Sequence, residues 1–380
     1  MRTPELRRSF LTRNTSFRNN FKYSVEEGFE SEKNSKPSSG SGSVLSRQKP
    51  SPNESSLGPL TVYRHRAMAC DFEISLNEDD VVREEILDVF DLIDREEKTL
   101  SVFRSTSLLS RINMLSSEMD VSVPKKLFEQ LRFCRSLWEE TEGAFDITSA
   151  PLWKLWGFAK GEGRVPTETE IEETLKTVGM EHVILNEESQ TVAFDFPGVE
   201  INFGAIGKGF ALDDAAFLLS KTSLKNYLIH GGMSSALAFG GRTGDYLHGN
   251  DGSLSPCWSI GIADPIEPEH RLITLRLTNE AIGTSGSGRQ YFFHQGKRFS
   301  HIIDPKTGHP AIGLLSVSVI TPDAARADAL STAFFVMGVE KTEKYAQEHP
   351  ETRVLLVMET KTGKREIVSL NMDDSDYRTE

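Results

Sequence analysis

Apolar positions along residues 59–380 recur with two different periods, which predicts short strands mixed with amphipathic helices. Spacings of three and four predict five helices, at residues 81–98, 124–142, 168–178, 207–221 and 323–337. Alternating runs between turn residues predict strands. These are residues 60–65, 71–76, 182–185, 191–196, 200–203, 227–229, 236–238, 258–263, 272–277, 291–293, 298–302, 315–320, 353–358 and 365–370. The pattern indicates an α+β fold with many short strands in mixed or antiparallel sheets.

Residues 1–58 lack this periodicity and differ in composition. They contain 10 Lys and Arg against 6 Asp and Glu and are rich in Ser and Asn. Such a segment cannot bury enough apolar surface to offset the entropy of ordering, so we expect a disordered tail before one folded body at residues 59–380. No apolar stretch of about 7–15 residues follows the basic start, so no secretory signal is predicted. A cytoplasmic location is the expectation, and a periplasmic one would require a different start.

The composition of the 380-residue chain narrows the classes of partner. The formal net charge is −13 and the sequence pI is about 5.3, which argues against nucleic acid because binding phosphates requires a basic face. No apolar run approaches the roughly 20 residues of a transmembrane helix. Cys70, Cys134 and Cys257 form neither a CxxC zinc pattern nor a disulfide framework. Nucleic acid and a membrane-spanning segment are therefore not expected.

A buried carboxylate is predicted in the helix at residues 323–337. After Asp328 this helix is almost wholly apolar or small, and Thr332 lies one turn further along the same face. A charge in such surroundings needs a partner, and carboxylate and hydroxyl oxygens suit a hard cation such as Mg²⁺. From the helix alone, the alternative is that Asp328 caps a neighbouring backbone segment or pairs with an arginine.

Two glycine-containing segments can bring the backbone close to a ligand. Residues 204–211 (GAIGKGFA) open a predicted helix, whose N-terminus favours a negative group such as phosphate. The spacing around Lys208 is not that of a Walker A loop, and a plain glycine-rich turn is the alternative. Residues 143–148 (GAFDIT) follow a helix directly. Asp146 in this segment could bind a ribose or a base edge, or could serve only as a turn residue.

Further candidates lie at aromatic and histidine positions. Phe103 could stack on a flat ring, although aromatic side chains are more often part of a core, and the same holds for Trp153, Trp156 and Phe158. His301 ends a predicted strand and could act as a general base near Asp304. The spacing of these two residues and His309 is not that of a zinc metalloprotease helix. Residues 283–288 (GTSGSG) are predicted to form a loop near the site.

These segments, in this order, resemble the ApbE family of FAD:protein FMN transferases. The resemblance covers residues 61–358, and the tail lies outside it. Its landmarks are Met68, residues 100–104 (LSVFR), 144–148 (AFDIT) with 151–152 (PL), 204–209 (GAIGKG), 231–232 (GG), 284–286 (TSG), 301–308 (HIIDPKTG) and 327–333 (ADALSTA). The resemblance implies sheets flanked by helices, with FAD in a cleft between two halves.

The resemblance also assigns residues to a flavin site and a metal site. It implies that FAD contacts Met68, Phe103, Ala144, Phe145, Asp146, Asn202, Lys208 and Ile302. It implies that Mg²⁺ is held by the backbone carbonyl of Ala205 with the side chains of Asp328 and Thr332. The chain departs from the family where Asn202 replaces a common Asp, Phe103 replaces Tyr, and Ala69-Cys70 replaces Gly-Thr. These departures leave the three implied metal ligands intact.

The implied activity is Mg²⁺-dependent transfer of FMN from FAD to a Thr or Ser hydroxyl of an acceptor protein, with release of AMP. Lys208 would stabilise the leaving phosphate, and His301 is the candidate acceptor of the hydroxyl proton. A non-catalytic FAD-binding protein and a Mg²⁺-dependent FAD pyrophosphatase are the alternatives. The chain contains no acceptor motif of the Ser/Thr-Gly-Ala-Thr type, so a separate acceptor protein is expected.

Overall fold

The computed structural model describes residues 57–77, 84–248, 253–288, 290–360, 363–373 and 375–379. The predicted disordered tail therefore lies almost wholly outside the described residues. Gly58, at the predicted boundary, already bonds to the body: its N–H donates to the Thr243 carbonyl at 2.7 Å, and its own carbonyl accepts from Arg242. Within the described residues, no helix is long and apolar enough to span a membrane.

Seven α-helices are found in the described part of the chain. They are α1 (Glu84–Leu100), α2 (Leu108–Leu115), α3 (Lys125–Glu140), α4 (Ala150–Leu155), α5 (Glu168–Leu175), α6 (Gly207–Leu219) and α7 (Ala324–Glu348). The five predicted helices are all present. The last predicted helix was to end at residue 337, and α7 does break at Gly338, at φ 74° and ψ −176°. Residues 339–348 then resume the helix. Glycine reaches this backbone conformation without the strain that a Cβ would add.

The strands are short and pair antiparallel throughout. They are β1 (Leu60–Ala67), β2 (Cys70–Asn77), β3 (Val121–Ser122), β4 (Val183–Asn186), β5 (Thr191–Phe194), β6 (Tyr227–Gly231), β7 (Ser235–Phe239), β8 (Tyr246–His248), β9 (Leu254–Pro256), β10 (Trp258–Ala263), β11 (Arg271–Leu277), β12 (Glu280–Gly286), β13 (Tyr291–His294), β14 (Lys297–Ser300), β15 (Ser316–Thr321), β16 (Arg353–Glu359), β17 (Arg365–Leu370) and β18 (Tyr377–Thr379). The α+β class predicted from the sequence is confirmed.

One eight-stranded sheet organises the molecule, in the order β1-β2-β6-β7-β12-β15-β16-β17. Alternate residues of its strands point to opposite faces, so Ile229 and Ala281 pack against α1 and α6. Their neighbours Leu228 and Ile282 pack on the other face, against the small sheet β10-β11-β18. Helices therefore cover one face of the main sheet and a second sheet covers the other.

Two predictions about local structure are wrong. Residues 200–203 form no strand, because the side-chain amide of Asn113 bonds both the N–H and the carbonyl of Ile201, at 2.9 Å each. Residues 283–286, predicted as loop, lie in β12 near the middle of the main sheet. A Cβ at Gly283 would overlap the backbone of Ala327, so this glycine permits close packing of α7 on the strand.

Candidate functional site

Asp328 lies buried in the first turns of α7, 5% exposed, between two hydrogen-bond donors. Its Oδ1 accepts from the Ser235 hydroxyl at 2.6 Å, and its Oδ2 accepts from the Gly209 N–H at 2.9 Å. Burial raises the pKa of Asp328 to about 6, and the positive charge of Lys208 acts in the opposite direction. The prediction of a buried carboxylate in this helix is confirmed, and the capping contact weighed for it is present at Gly209.

Further hydroxyl groups lie on the same stretch of α7 and on β12. Ser285 Oγ, on β12, lies 2.9 Å from both Ser331 Oγ and Thr332 Oγ1. Ser331 Oγ donates to the Asp328 carbonyl at 2.8 Å. We call Ser235, Ser285, Asp328, Ser331 and Thr332 the oxygen cluster. Because α7 packs directly on β7 and β12, residues from three separate segments of the chain meet in it.

The oxygen cluster fits a hard cation by the chemistry of its donors. It offers one carboxylate and several hydroxyls, which are ligands that Mg²⁺ accepts, and it contains no sulfur or imidazole donor. Each carboxylate oxygen that bonds Ser235 or Gly209 keeps a further lone pair. No group of three or more His, Cys, Asp or Glu side chains suited to a metal occurs among the described residues. A cation held here would therefore take part of its coordination from a ligand such as phosphate.

The segment before α6 borders the same cluster. Ala205 lies half-buried in the turn that leads into α6, four residues before the Gly209 N–H that bonds Asp328. Lys208 stands in the first helical turn, where its charge acts on both Asp328 and Cys70. A cationic side chain at a helix N-terminus creates a place for an anionic group. The structure thus brings Ala205, Lys208, Asp328 and Thr332 to one region.

The β1–β2 hairpin turn approaches this region from the other side. Met68 and Ala69 form its two-residue turn, with φ values of 49° and 58°. Cys70 follows, and its Cβ would lie 3.0 Å from a Cβ placed on Gly232. Burial raises the pKa of the Cys70 thiol, while the Lys208 charge lowers it. Met68 is therefore carried on a tight turn at the edge of the Lys208 region.

Ala144, Phe145 and Ile302 share one hydrophobic cluster, with exposures of 7%, 1% and 7%. Asp146 is also buried, and its Oδ1 accepts from the Thr148 N–H at 2.7 Å and from the Thr148 hydroxyl at 2.5 Å. Burial raises the pKa of Asp146 to about 6. These contacts are those of a turn residue, the alternative that the sequence left open, and a role in binding FAD stays a prediction.

Two other predicted flavin contacts lie on loops. Asn202 Oδ1 accepts from the Gly204 N–H at 2.8 Å, and the Asn202 N–H donates to the Ile147 carbonyl at 2.8 Å. Asn202 therefore ties the 144–148 segment to the turn before α6. Phe103 lies in the loop after α1 with 79% of its surface exposed. An exposed ring of this kind is available for stacking on a ligand.

His301 belongs to a separate aromatic group. Its Nδ1 lies 3.1 Å from the Gln290 carbonyl, which makes Nδ1 the donor and assigns Nε2 as the acceptor nitrogen. Burial lowers the pKa of His301, which favours the neutral form that a general base requires. The ring meets Phe158 edge-on, and Phe158 packs in turn on Phe292. Trp156 and Phe158 thus belong to a core cluster, as the alternative for them proposed.

Sequence reasoning missed three members of the oxygen cluster, Ser235, Ser285 and Ser331. Ser235 is 93 residues from Asp328 in sequence, and only the pairing of β7 with β12 brings them together. Ser285 was assigned to a loop, although it lies in the strand beneath α7. Ser235 after Gly231-Gly232 was a visible signal, because a hydroxyl at the start of a buried strand requires a polar partner.

Comparison with known proteins gives a consistent result. The model of the ApbE family matches residues 68–356. The FAD:protein FMN transferase of Escherichia coli (strain K12) is 30% identical over 305 residues, which are 78% of this chain and 84% of that protein. The FAD:protein FMN transferase of Haemophilus influenzae is 33% identical over 277 residues, which are 70% of this chain and 75% of that protein.

Solved structures give the same relationship at the level of the fold. The ApbE protein of Thermotoga maritima superposes with a TM-score of 0.70 and 30% identity, over 81% of this chain and 96% of that one. The apo flavinyl transferase ApbE of Pseudomonas stutzeri superposes with a TM-score of 0.69 and 27% identity, over 82% and 94%. This chain therefore belongs to the ApbE family.

Proposed function

We propose that this protein is an FAD:protein FMN transferase, which moves FMN from FAD to a Thr or Ser hydroxyl of a separate acceptor protein. The observation that carries the proposal is the oxygen cluster, a buried carboxylate among hydroxyls beside Lys208, in a chain whose relatives bear this name. Residues 59–380 would form the transferase domain.

The cation site would use Asp328, Thr332 and the carbonyl of Ala205. The observation in favour is the oxygen-only donor set around Asp328, which matches the preference of Mg²⁺. When bound, Mg²⁺ supplies neutralisation of the charge on a pyrophosphate. Lys208 would bind the same pyrophosphate and stabilise the phosphate that leaves with AMP.

The flavin would be contacted by residues on the loops and the hydrophobic cluster described above. Phe103 would stack on a ring of FAD, since its face is exposed and rings gain by offset stacking. Met68, Ala144, Phe145, Asp146, Asn202 and Ile302 would complete the site. Asn202 supports this proposal because its side chain holds the turn between the 144–148 segment and α6.

The transfer step is a displacement at phosphorus. The acceptor hydroxyl oxygen forms a bond to the FMN phosphorus, and the bond from that phosphorus to the AMP oxygen breaks. His301 Nε2 would take the hydroxyl proton, because Nδ1 already donates to Gln290 and burial keeps the imidazole neutral. AMP leaves with the electron pair of the broken bond, and the acceptor keeps FMN through a phosphoester.

The experiment is an incubation of the purified protein with FAD, Mg²⁺ and a peptide containing the sequence Ser-Gly-Ala-Thr, followed by mass spectrometry. The expected result is a peptide heavier by FMN minus water, together with AMP. A parallel reaction without peptide tests the alternatives. Free FMN formed without peptide would indicate a pyrophosphatase, and FAD bound without any product would indicate a binding protein. A matched reaction with EDTA should give no modified peptide.

A further inference from the structure

The N-terminus of α7 is capped by a side chain of another helix. Its own N-cap residue, Asp323, makes no side-chain capping bond. Asp213, on α6, supplies both of its carboxylate oxygens instead: Oδ1 accepts from the Ala324 N–H at 2.7 Å, and Oδ2 accepts from the Ala325 N–H at 2.9 Å. The first N–H groups of a helix have no partner within it, so a carboxylate that receives two of them fixes the start of the helix.

This contact is one of two equivalent links between α6 and α7. The other link joins Gly209, one turn before Asp213 on α6, to Asp328, one turn after Ala324 on α7. In it, the Gly209 N–H donates to Asp328 Oδ2. A Cβ at Gly209 would overlap the backbone of Ala325, so the helices cross with little space between their axes. Residues four apart lie on the same face of a helix. The two antiparallel helices are therefore joined by two links, each one helical turn from the other.

The register of these links decides what faces the site. α6 carries Lys208, and α7 carries Asp328 and Thr332. A slip or rotation of α7 against α6 would move the Asp328 carboxylate away from Lys208 and from the Ser235 hydroxyl. It would also move Thr332 away from Ser285. Ser235 and the close packing at Gly283 hold α7 on the sheet, and the Gly209 N–H fixes it to α6 at one point near Asp328. The bidentate contact at Asp213 provides the second fixed point.

We propose that Asp213 is a positioning residue for the cation site: it sets the register of α7 on α6, and thereby the placement of Asp328 and Thr332 relative to Lys208. This inference rests on the proposed function for the identity of the ligand. Asp213 does not touch substrate or cation, so its effect is on how well the site binds Mg²⁺. Groups hydrogen-bonded to a metal ligand change metal affinity by about 10–100-fold, and Asp213, which acts one step further out through the helix, is expected at the lower end of that range.

The test compares Asp213→Asn with Asp214→Asn in the full chain. Asp214 is the next residue of α6 and forms an ion pair with Lys126 on α3, so its replacement removes the same charge from the same helix without touching α7. The FAD-loaded proteins are titrated with Mg²⁺, and the midpoint is measured by thermal shift. We expect the midpoint of Asp213→Asn to rise about 10-fold, and that of Asp214→Asn to stay at the wild-type value.

FMN transfer to the acceptor peptide gives a second readout. For Asp213→Asn, excess Mg²⁺ should restore kcat, because the ligands themselves are intact. A lower Tm with an unchanged Mg²⁺ midpoint would overturn the inference, since it would make Asp213 a purely structural cap. If Asp213→Asn does not fold, Asp213→Glu, which keeps the charge on a longer side chain, provides the same comparison. A wild-type protein with no Mg²⁺ response would contradict the metal assignment itself, and the inference with it.

Discussion

The proposed cation side and the proposed flavin side of the site are built on different kinds of structure. On the cation side, Asp328 and Thr332 lie on a buried helix that packs on the centre of the main sheet through Gly283. On the flavin side, Met68 lies in a two-residue turn and Phe103 in an exposed loop, while Ala144, Phe145 and Ile302 lie in a hydrophobic cluster. Residues on packed elements are placed more accurately than residues on loops. Substitutions on the two sides should therefore differ in what they change.

The largest effect is expected at Asp328. Asp328→Ala removes the only carboxylate of the oxygen cluster. Mg²⁺-dependent FMN transfer should therefore fall by more than about 100-fold, which is more than the loss of a group that only supports a metal ligand causes. Asp323→Ala removes a carboxylate from the N-cap of the same helix, where it is exposed. Transfer rates across a Mg²⁺ titration should be normal for Asp323→Ala. Equal activity of Asp328→Ala and the wild type would contradict the assignment of Asp328 to a cation site, and with it the contrast between the two sides.

The second effect concerns the pH dependence of stability. Burial raises the pKa of Asp146 to about 6, above the roughly 3.9 of an unfolded Asp. The folded state then binds the proton more tightly, so stability is greatest below pH 4 for this group and is lost as the pH rises through 6. The loss amounts to about 2–3 kcal/mol for a shift of about two units. Asp146→Asn should remove this contribution.

Urea unfolding at a series of pH values between 4 and 8 measures this loss of stability. The free energy of unfolding of the wild type should fall over that window because of Asp146. The fall should be smaller in Asp146→Asn. Asp213 and Asp328, whose pKa values burial raises to about 7 and about 6, leave part of the slope in place. Asp120→Asn, an exposed change of the same kind, is the control. An identical slope in Asp146→Asn and the wild type would show that the carboxyl is not buried as described.

A smaller effect is expected on the flavin side at Phe103. Phe103→Ala should raise the KM for FAD about 5–10-fold, the value of one stacking contact of about 1 kcal/mol. Because the ring is 79% exposed, Tm and the Mg²⁺ midpoint should not change. Phe103→Tyr keeps the ring and should retain the wild-type KM within about twofold. Ile312→Ala, at a side chain 85% exposed, controls for loss of an exposed apolar group. An unchanged KM for Phe103→Ala would place the flavin elsewhere.

The smallest effect is a gain in stability at the hairpin turn. Ala69 has a φ of 58°, a left-handed conformation that costs about 1 kcal/mol for a residue with a Cβ. Ala69→Gly should therefore raise the free energy of unfolding by about 1 kcal/mol, less the entropy that Gly adds to the unfolded chain. Ala67→Gly, at a buried strand position two residues earlier, should lower it instead. Equal destabilisation by both would contradict the turn geometry.

Local patterns predicted the elements well, because the helices and strands follow the spacing of apolar residues. They failed where a distant residue decides the backbone. Asn113 takes both hydrogen bonds of Ile201 and prevents a strand, and α7 requires Gly283 where a glycine suggests a loop. For the site, Asp328 was visible as a charge in an apolar helix. Ser235 showed only a hydroxyl at the start of a buried strand, because its contact with Asp328 exists only after the sheet has formed.

The most direct test of the cation site is its location in a crystal. Crystals of the protein with FAD and Mn²⁺, measured at a wavelength where manganese scatters anomalously, show the position of the ion without reference to activity. The account predicts one strong peak within about 2.0–2.3 Å of the Asp328 carboxylate and the Thr332 hydroxyl. A peak at another place, or an Asp328 carboxylate with bound FAD and no ion beside it, would contradict it.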